Sequence, residues 1–197
     1  MRKYYIIIFV LILSILKGNS EFNEGKNYMG IKFGANYSNI IGDDASDDFD
    51  SKFSFSGGLF FNHQISEYGS VETGLYFSPK GTKITFDSNT YKLSIYYIEN
   101  RTFAKIELAS GYTNKAYFLL GSSFGYNFLS ESDSGYGPID VTESISNFEM
   151  CMMSGIQIII RKVIMDFEYS YGLTRVMKLS TDTRNSTFIF SVGVILK

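Results

Sequence analysis

The 197-residue chain has the length of one domain, and 45% of its residues are apolar, an ordinary share for a globular protein. Its single cysteine, Cys151, excludes an internal disulfide and supplies no pair of metal ligands. After removal of the first twenty residues, the chain has 15 basic and 20 acidic residues, and this net charge of −5 argues against a nucleic-acid partner.

The first twenty residues predict a signal peptide. Arg2 and Lys3 precede a short apolar run, and Gly18 and Ser20 are small residues at the spacing that signal peptidase prefers. The alternative is an uncleaved membrane anchor, but the run is short for a span of about 20 residues. We therefore predict a signal peptide over 1–20, a short N-terminal segment over 21–27 and one domain over 28–197.

Eight stretches after the signal alternate apolar and polar residues with the period of a β-strand. In chain order they are "YMGIKFGANY", "FSFSGGLFFNHQI", "VETGLYFSPKG", "KLSIYYIENRTFAKIEL", "KAYFLLGSSFGYNF", "NFEMCMMSGIQIII", "VIMDFEYSYGL" and "TFIFSVGVIL". Each reaches the 9–11 residues that a tilted strand needs to cross a bilayer. The fourth changes parity near Tyr97 or Ile98, which predicts a β-bulge. Residues near strand ends predict an interfacial aromatic belt of Tyr37, Tyr97, Tyr126 and Phe128.

The links between these stretches differ in length. "SEYG", "ASGYTN" and "RK" are tight turns, whereas the links at 38–52, 82–91, 130–146 and 175–183 are long, polar and rich in Asp, Ser, Thr and Asn. Long loops on one rim and tight turns on the other are typical of outer-membrane proteins, with both termini on the periplasmic side. The sequence therefore predicts an all-β fold, an eight-stranded antiparallel up-and-down transmembrane β-barrel with short periplasmic turns and long extracellular loops.

The distribution of glycine indicates which face of the strands meets lipid. The polar face collects nine glycines, and the apolar face of the same strands holds only Gly57. Glycine weakens a solvated strand, but the interior of a narrow barrel needs it where backbones and large side chains crowd. About five large apolar side chains per strand would also overfill an eight-stranded interior. We therefore favour a barrel with its apolar face in lipid, and a soluble lipocalin-like barrel is the alternative.

Ten charged residues of both signs lie on the predicted interior face. Such groups can pair and hydrogen-bond in a space that excludes bulk water, so we predict a filled, salt-bridged interior without an open channel. A relay or binding site built from the same residues is the alternative. The ten residues are Lys32, Glu72, Lys80, Glu99, Arg101, Lys105, Glu107, Glu149, Asp166 and Glu168.

The residues with catalytic or metal-binding potential form no recognisable motif. His63 is the single histidine and lies near a tight turn, where we interpret it as an interfacial side chain. Ser66 and Glu67 are close to it in sequence, but no second element indicates a hydrolase, so we predict no catalytic residue, cofactor or metal. The first long link lacks the Gly and terminal Glu of a calcium loop and is interpreted as a solvated anionic loop. Its acidic residues are Asp43, Asp44, Asp47, Asp48 and Asp50.

Segments over nearly the whole mature chain resemble one known family. They are "GIKFGANYSNI", "FSGGLFFN", "ETGLYFSPKG", "YYIEN", "YFLLGSSFGYN", "DFEYSYGL" and "FSVGV". They are similar to the outer membrane protein beta-barrel family of Bacteroidota-type bacteria, often called PorT-like. The chain departs from that family at Asn100 and Arg101, and at Lys197, which replaces the usual aromatic C-terminal residue. The resemblance implies the barrel fold and an outer-membrane location, but no activity.

The sequence therefore predicts a non-enzymatic outer-membrane protein with a structural or interaction role. Its expected partners are outer-membrane lipid and an extracellular ligand or protein at the long loops. Two alternatives stay open. One is an accessory of transport or secretion that acts through the periplasmic turns or a partner barrel, and the other is a lipid-modifying enzyme.

Overall fold

The computed structural model describes residues 27–43, 45, 49–86, 89–111, 114–133, 135, 137–179 and 182–196. The predicted signal peptide lies outside the described residues, as does the predicted N-terminal segment up to residue 26. No helix in the described ranges is long and apolar enough to cross a membrane.

The described chain is built almost entirely from antiparallel strands. Eight of them form a ring in chain order, which closes where the last strand pairs with the first. A ninth, three-residue strand lies outside the ring on the edge of the fifth. The prediction of an eight-stranded antiparallel up-and-down barrel is confirmed. The strands are β1 (Asn27–Ile41), β2 (Phe49–Gln64), β3 (Gly69–Phe86), β4 (Asn89–Ser110), β5 (Asn114–Asp133), the outlying β6 (Pro138–Asp140), β7 (Phe148–Ile160), β8 (Val163–Gly172) and β9 (Arg184–Ile195), with a 3₁₀ turn at Thr142–Ser144.

The two ends of the barrel differ, and one link differs from its prediction. One end of the barrel, here the turn end, holds the strand ends that tight turns join and the first and last residues of the described part, 27 and 196; the links over 42–48, 134–147 and 173–183 start from strand ends at the other end, here the loop end. The link predicted at 82–91 is mostly strand, because β3 and β4 pair as far as Phe86 and Asn89. Its Thr and Ile residues favour strand over loop. A hairpin therefore extends β3 and β4 at the loop end.

The parity change predicted in β4 is wrong. β4 pairs with β3 without interruption, and Ile95, Tyr97 and Glu99 all lie buried in the barrel. The pairing of β4 with β5 is irregular at two places. Next to Tyr97, where the bulge was predicted, the extra residue is Phe128 of β5, and near the turn the extra residue is Leu108 of β4. Tyr97 is therefore an interior side chain, 1% exposed, and does not belong to the aromatic belt. The other predicted belt residues are exposed on the outer face: Tyr37, Tyr126 and Phe128.

The apolar face of the strands points outward and the polar face points inward. Phe33 is 67% exposed, and Leu75 and Phe167 are also exposed, whereas Glu72 and Asp166 are buried. The glycine argument therefore identified the correct face. In water this arrangement would leave contiguous apolar surface exposed, which is unfavourable. In a bilayer the same surface contacts hydrocarbon, which stabilises the arrangement.

The interior also contains two apolar clusters, of which alternation predicted only single members such as Tyr76 and Cys151. Glycine makes room for their rings: a Cβ at Gly121 would lie 2.1 Å from the Thr102 carbonyl oxygen and 2.8 Å from the Phe103 ring. The first cluster contains Phe60, Tyr76, Phe103, Tyr117, Leu119, Cys151, Met153, Ile159, Ile164 and Ile189. The second contains Ile40, Ile95, Tyr97, Ile145 and Val176.

Candidate functional site

The structure places nine of the ten sequence-predicted charged residues inside the barrel, each at most 5% exposed. Glu107 is the exception and lies at the turn end, where its carboxylate is 3.1 Å from the ammonium of Lys115, itself 42% exposed. Within the barrel the nine side chains group into two ion-pair networks. We call them the Glu72 network and the Lys80 network.

The Glu72 network consists of two lysines and two carboxylates. Lys32 contacts the carboxylate of Glu72, and its ammonium lies 2.7 Å from Asp166 Oδ2. Lys105 Nζ lies 3.1 Å from Glu72 Oε2, and the Gln157 amide donates to the same oxygen at 3.1 Å. The formal charges therefore balance, and charge-assisted hydrogen bonds offset part of the cost of burying these ions.

The Lys80 network contains two cations and three carboxylates. Lys80 Nζ lies 3.0 Å from Glu99 Oε1 and 2.6 Å from Glu149 Oε2. Arg101 Nε donates to Glu99 Oε2 at 2.9 Å, and Arg101 Nη1 is 3.5 Å from Glu168 Oε2. Glu168 is therefore the carboxylate with the most distant cation.

The cations of both networks also lie over aromatic rings. Such cation–π contacts are worth more when the cation is desolvated, as these are. The pairs, with the distance to the ring centroid, are Lys32 and Phe60 at 4.6 Å, Arg101 and Tyr76 at 4.6 Å, Lys105 and Tyr117 at 4.7 Å, and Lys80 and Tyr97 at 5.4 Å. The apolar clusters and the ion pairs thus pack against one another.

One group of side chains has the spacing of a metal site, but a lysine already occupies it. Ligand atoms of Glu99, Glu149 and Cys151 lie within 4.8 Å of one another. Lys80 Nζ contacts both carboxylates and lies 3.8 Å from the Cys151 sulfur. The ammonium therefore supplies the positive charge that a metal ion would otherwise bring.

The loop end is closed by segments of two links, 141–147 and 175–178, which we call the loop cap. The Ser146 N–H donates to the Val176 carbonyl at 2.7 Å, and the Lys178 N–H donates to Ser144 at 3.0 Å. Ile145 and Val176 are buried in the second apolar cluster. Sequence reasoning missed this cap, because Ile145 and Val176 lie among other apolar residues of their links, such as Val141 and Met177, and no local pattern distinguishes them.

The turn end contains a small polar cavity of about 160 Å³. Its lining includes Tyr28, Asn62, Ser70, Lys115 and Tyr117. The Glu107–Lys115 pair belongs to the wall of this cavity.

His63 lies at the same end and is exposed. Its Nδ1 is 2.6 Å from Asn27 Oδ1.

The acidic first link is only partly described. Asp44, Asp47 and Asp48 lie outside the described residues. The Asp43 N–H donates to Asp182 Oδ2 at 3.4 Å, and Asp50 stands opposite Lys83 in the pairing of β2 with β3. These contacts are those of a solvated charged surface.

Known proteins share this fold. Residues 23–178 match the family model described as outer membrane protein beta-barrel domain. No curated protein matches the chain. The crystal structure of Neisserial surface protein A (NspA) is 15% identical, covers 84% of this chain and 96% of its own, and has a TM-score of 0.54. Ail, the attachment invasion locus protein of Yersinia pestis, in complex with the heparin analogue sucrose octasulfate, is 14% identical, covers 87% and 99%, and has a TM-score of 0.51.

Proposed function

Because the chain belongs to the outer membrane protein beta-barrel domain family and is located in the outer membrane, we propose that it is a non-enzymatic interaction protein that acts through its extracellular loops. The filled interior supports this proposal. Buried ion pairs and two apolar clusters occupy the barrel, and the loop cap covers its extracellular end. A closed interior leaves the loops as the surface that a molecule outside the cell can reach.

The charge of the loops supports a basic partner. Residues 42–52, 82–92, 130–147 and 173–184 together contain eleven acidic and six basic residues. The acidic excess lies in the first and third of these ranges, since the second and fourth each contain more basic than acidic residues. Complementary charge increases the rate of association and discriminates against partners of the same sign. We therefore infer that the loops bind a protein or peptide that presents Lys and Arg.

This inference separates the chain from Ail, whose structure holds a heparin analogue, sucrose octasulfate. That ligand is a polyanion, and a net negative loop surface repels polyanions. The two barrels have similar folds at 14% identity, and the shared fold leaves the loop chemistry free to differ.

Binding of model polyions tests the proposal. The purified barrel in phospholipid nanodiscs is exposed to oligolysine and, separately, to heparin, and binding is followed by biolayer interferometry. We expect oligolysine to bind, with an affinity that falls as salt rises. A variant with Asp43, Asp44, Asp47, Asp48 and Asp50 changed to Asn should bind it several-fold more weakly.

The control variant carries Glu67→Gln and Glu107→Gln at the periplasmic end and should bind oligolysine as the unmodified protein does. Heparin binding, or oligolysine binding that survives neutralisation of the loop, would contradict the proposal. The non-enzymatic part has its own test, because lipid hydrolysis that is lost in His63→Ala would overturn it.

A second candidate function is that of an accessory of transport or secretion acting at the periplasmic end. The polar cavity of about 160 Å³ there favours it, and it suits the PorT-like subtype that we propose for this chain. Photo-crosslinking residues placed at Lys115 and at Asp140 separate the two functions. Adducts with a cellular protein at position 115 alone would favour the accessory, and adducts at position 140 alone would favour the loops.

A further inference from the structure

The lipid-facing surface of the barrel carries a concave groove of about 560 Å³ on one side. Four aromatic rings of β8 and β9 form its centre. Phe167 packs against Phe190 with ring centroids 4.9 Å apart, and Tyr169 packs against Phe188 at 4.8 Å. The rings form a rigid surface, because each is held by its cross-strand neighbour.

Small residues on both sides of the rings create the depth of the groove. Ser154 stands opposite Tyr169 in the pairing of β7 with β8, and Ala35 stands opposite Phe190 in the pairing of β1 with β9. Both small side chains line the groove. Other positions on the outward face mostly carry large apolar side chains, so a depression forms here.

The polar atoms along the groove do not call for a polar ligand. The Tyr169 hydroxyl and the Ser186 hydroxyl are 3.0 Å apart and satisfy each other. The remaining outward side chains that line the groove are almost all hydrocarbon. The part of a ligand that lies in the groove is therefore apolar.

We propose that this groove binds one acyl chain of an outer-membrane lipid and holds it longer than the surrounding lipid is held. Its volume lies in the range of about 300–1,000 Å³ typical of sites for one small molecule. Exposed side chains form the rims, among them Tyr37, Phe53 and Phe118. A second barrel presents a convex surface, which these rims keep out of the groove, whereas a flexible chain can lie between them.

Crosslinking from a lipid tests this proposal. The barrel is reconstituted in phosphatidylcholine vesicles that contain a phosphatidylcholine with a diazirine on its acyl chain, and adducts are mapped by mass spectrometry after irradiation. We expect adducts on β8 and β9 to exceed those on the outward face of β3 and β4 several-fold. Adducts spread evenly around the barrel, or links between two copies of the protein, would overturn the proposal.

A matched pair of variants provides the second measurement. Ser154→Phe fills the groove and should remove the excess of adducts on β8 and β9. Thr102→Phe adds the same side chain on the far side, where Thr102 hydrogen-bonds Thr73 at 3.0 Å, and should leave the excess unchanged. An excess that survives Ser154→Phe in a variant with an unchanged circular dichroism spectrum would also overturn the proposal.

Discussion

Replacement of Lys80 by Met tests the interior most sharply, because it removes one charge from a network whose other contacts are known. Glu99 would keep Arg101, whose Nε donates to it at 2.9 Å. Glu149 would keep only neutral partners, such as the amide of Asn185 at 2.5 Å. One carboxylate would therefore be left buried without a cation. Removing one partner of a buried pair costs about 3–5 kcal/mol, and we expect the free energy of unfolding to fall by about that amount.

The double variant Lys80→Met/Glu149→Gln distinguishes loss of charge balance from loss of packing. It removes the orphaned charge and keeps the shape of the side chain, so we expect it to recover at least half of the lost stability. Lys115→Met is the control, because its exposed pair with Glu107 is worth at most about 1 kcal/mol.

Urea unfolding in phospholipid vesicles provides the measurement. The chain has no Trp, so the signal is far-ultraviolet circular dichroism. The reasoning fails if Lys80→Met costs no more than Lys115→Met, or if the double variant is less stable than Lys80→Met alone.

Three further predictions concern the closed interior. We expect planar bilayers containing the protein to show no steady ion current, because side chains fill the barrel, and discrete current steps would contradict this. Gly121→Ala should lower the unfolding free energy by more than 1 kcal/mol in urea, since its Cβ would lie 2.1 Å from the Thr102 carbonyl oxygen. Ile145→Asp should open the loop cap and speed its cleavage by an added protease, whereas Leu179→Asp, at a position 96% exposed, should not.

Alternation and glycine placement were sufficient to predict the barrel and the direction of its faces. Successive side chains of a strand point to opposite faces. A charged residue an even number of positions away from an inward glycine therefore also points inward. Glu72 illustrates this, because it shares its face with Gly74 and is buried. The pairing of these charges was harder to predict. Lys80 reaches β7 across the barrel, and sequence gives no distance between strands that are not neighbours.

The missed features lie where both faces of a strand are apolar. In "FLLG" of β5 and "TFAKI" of β4 the period of two is hidden, so Leu119 and Phe103 could not be assigned to the interior. Ile145 and Val176 were missed for another reason. Each lies in a link that also contains other apolar residues, and its burial depends on two loops meeting over the barrel, which no local pattern specifies.

The long-range ion pairs explain why a barrel that could be filled with leucine contains buried charge instead. Lys32 of β1 pairs with Asp166 of β8, and Lys80 of β3 pairs with Glu149 of β7. In each case the two strands are not neighbours in the ring. Apolar side chains of similar volume can be equally stable, but they tolerate a sliding strand. We infer that an ion pair across the barrel forms only when every strand between its two ends keeps one register, so that the two networks favour a single closure of the ring.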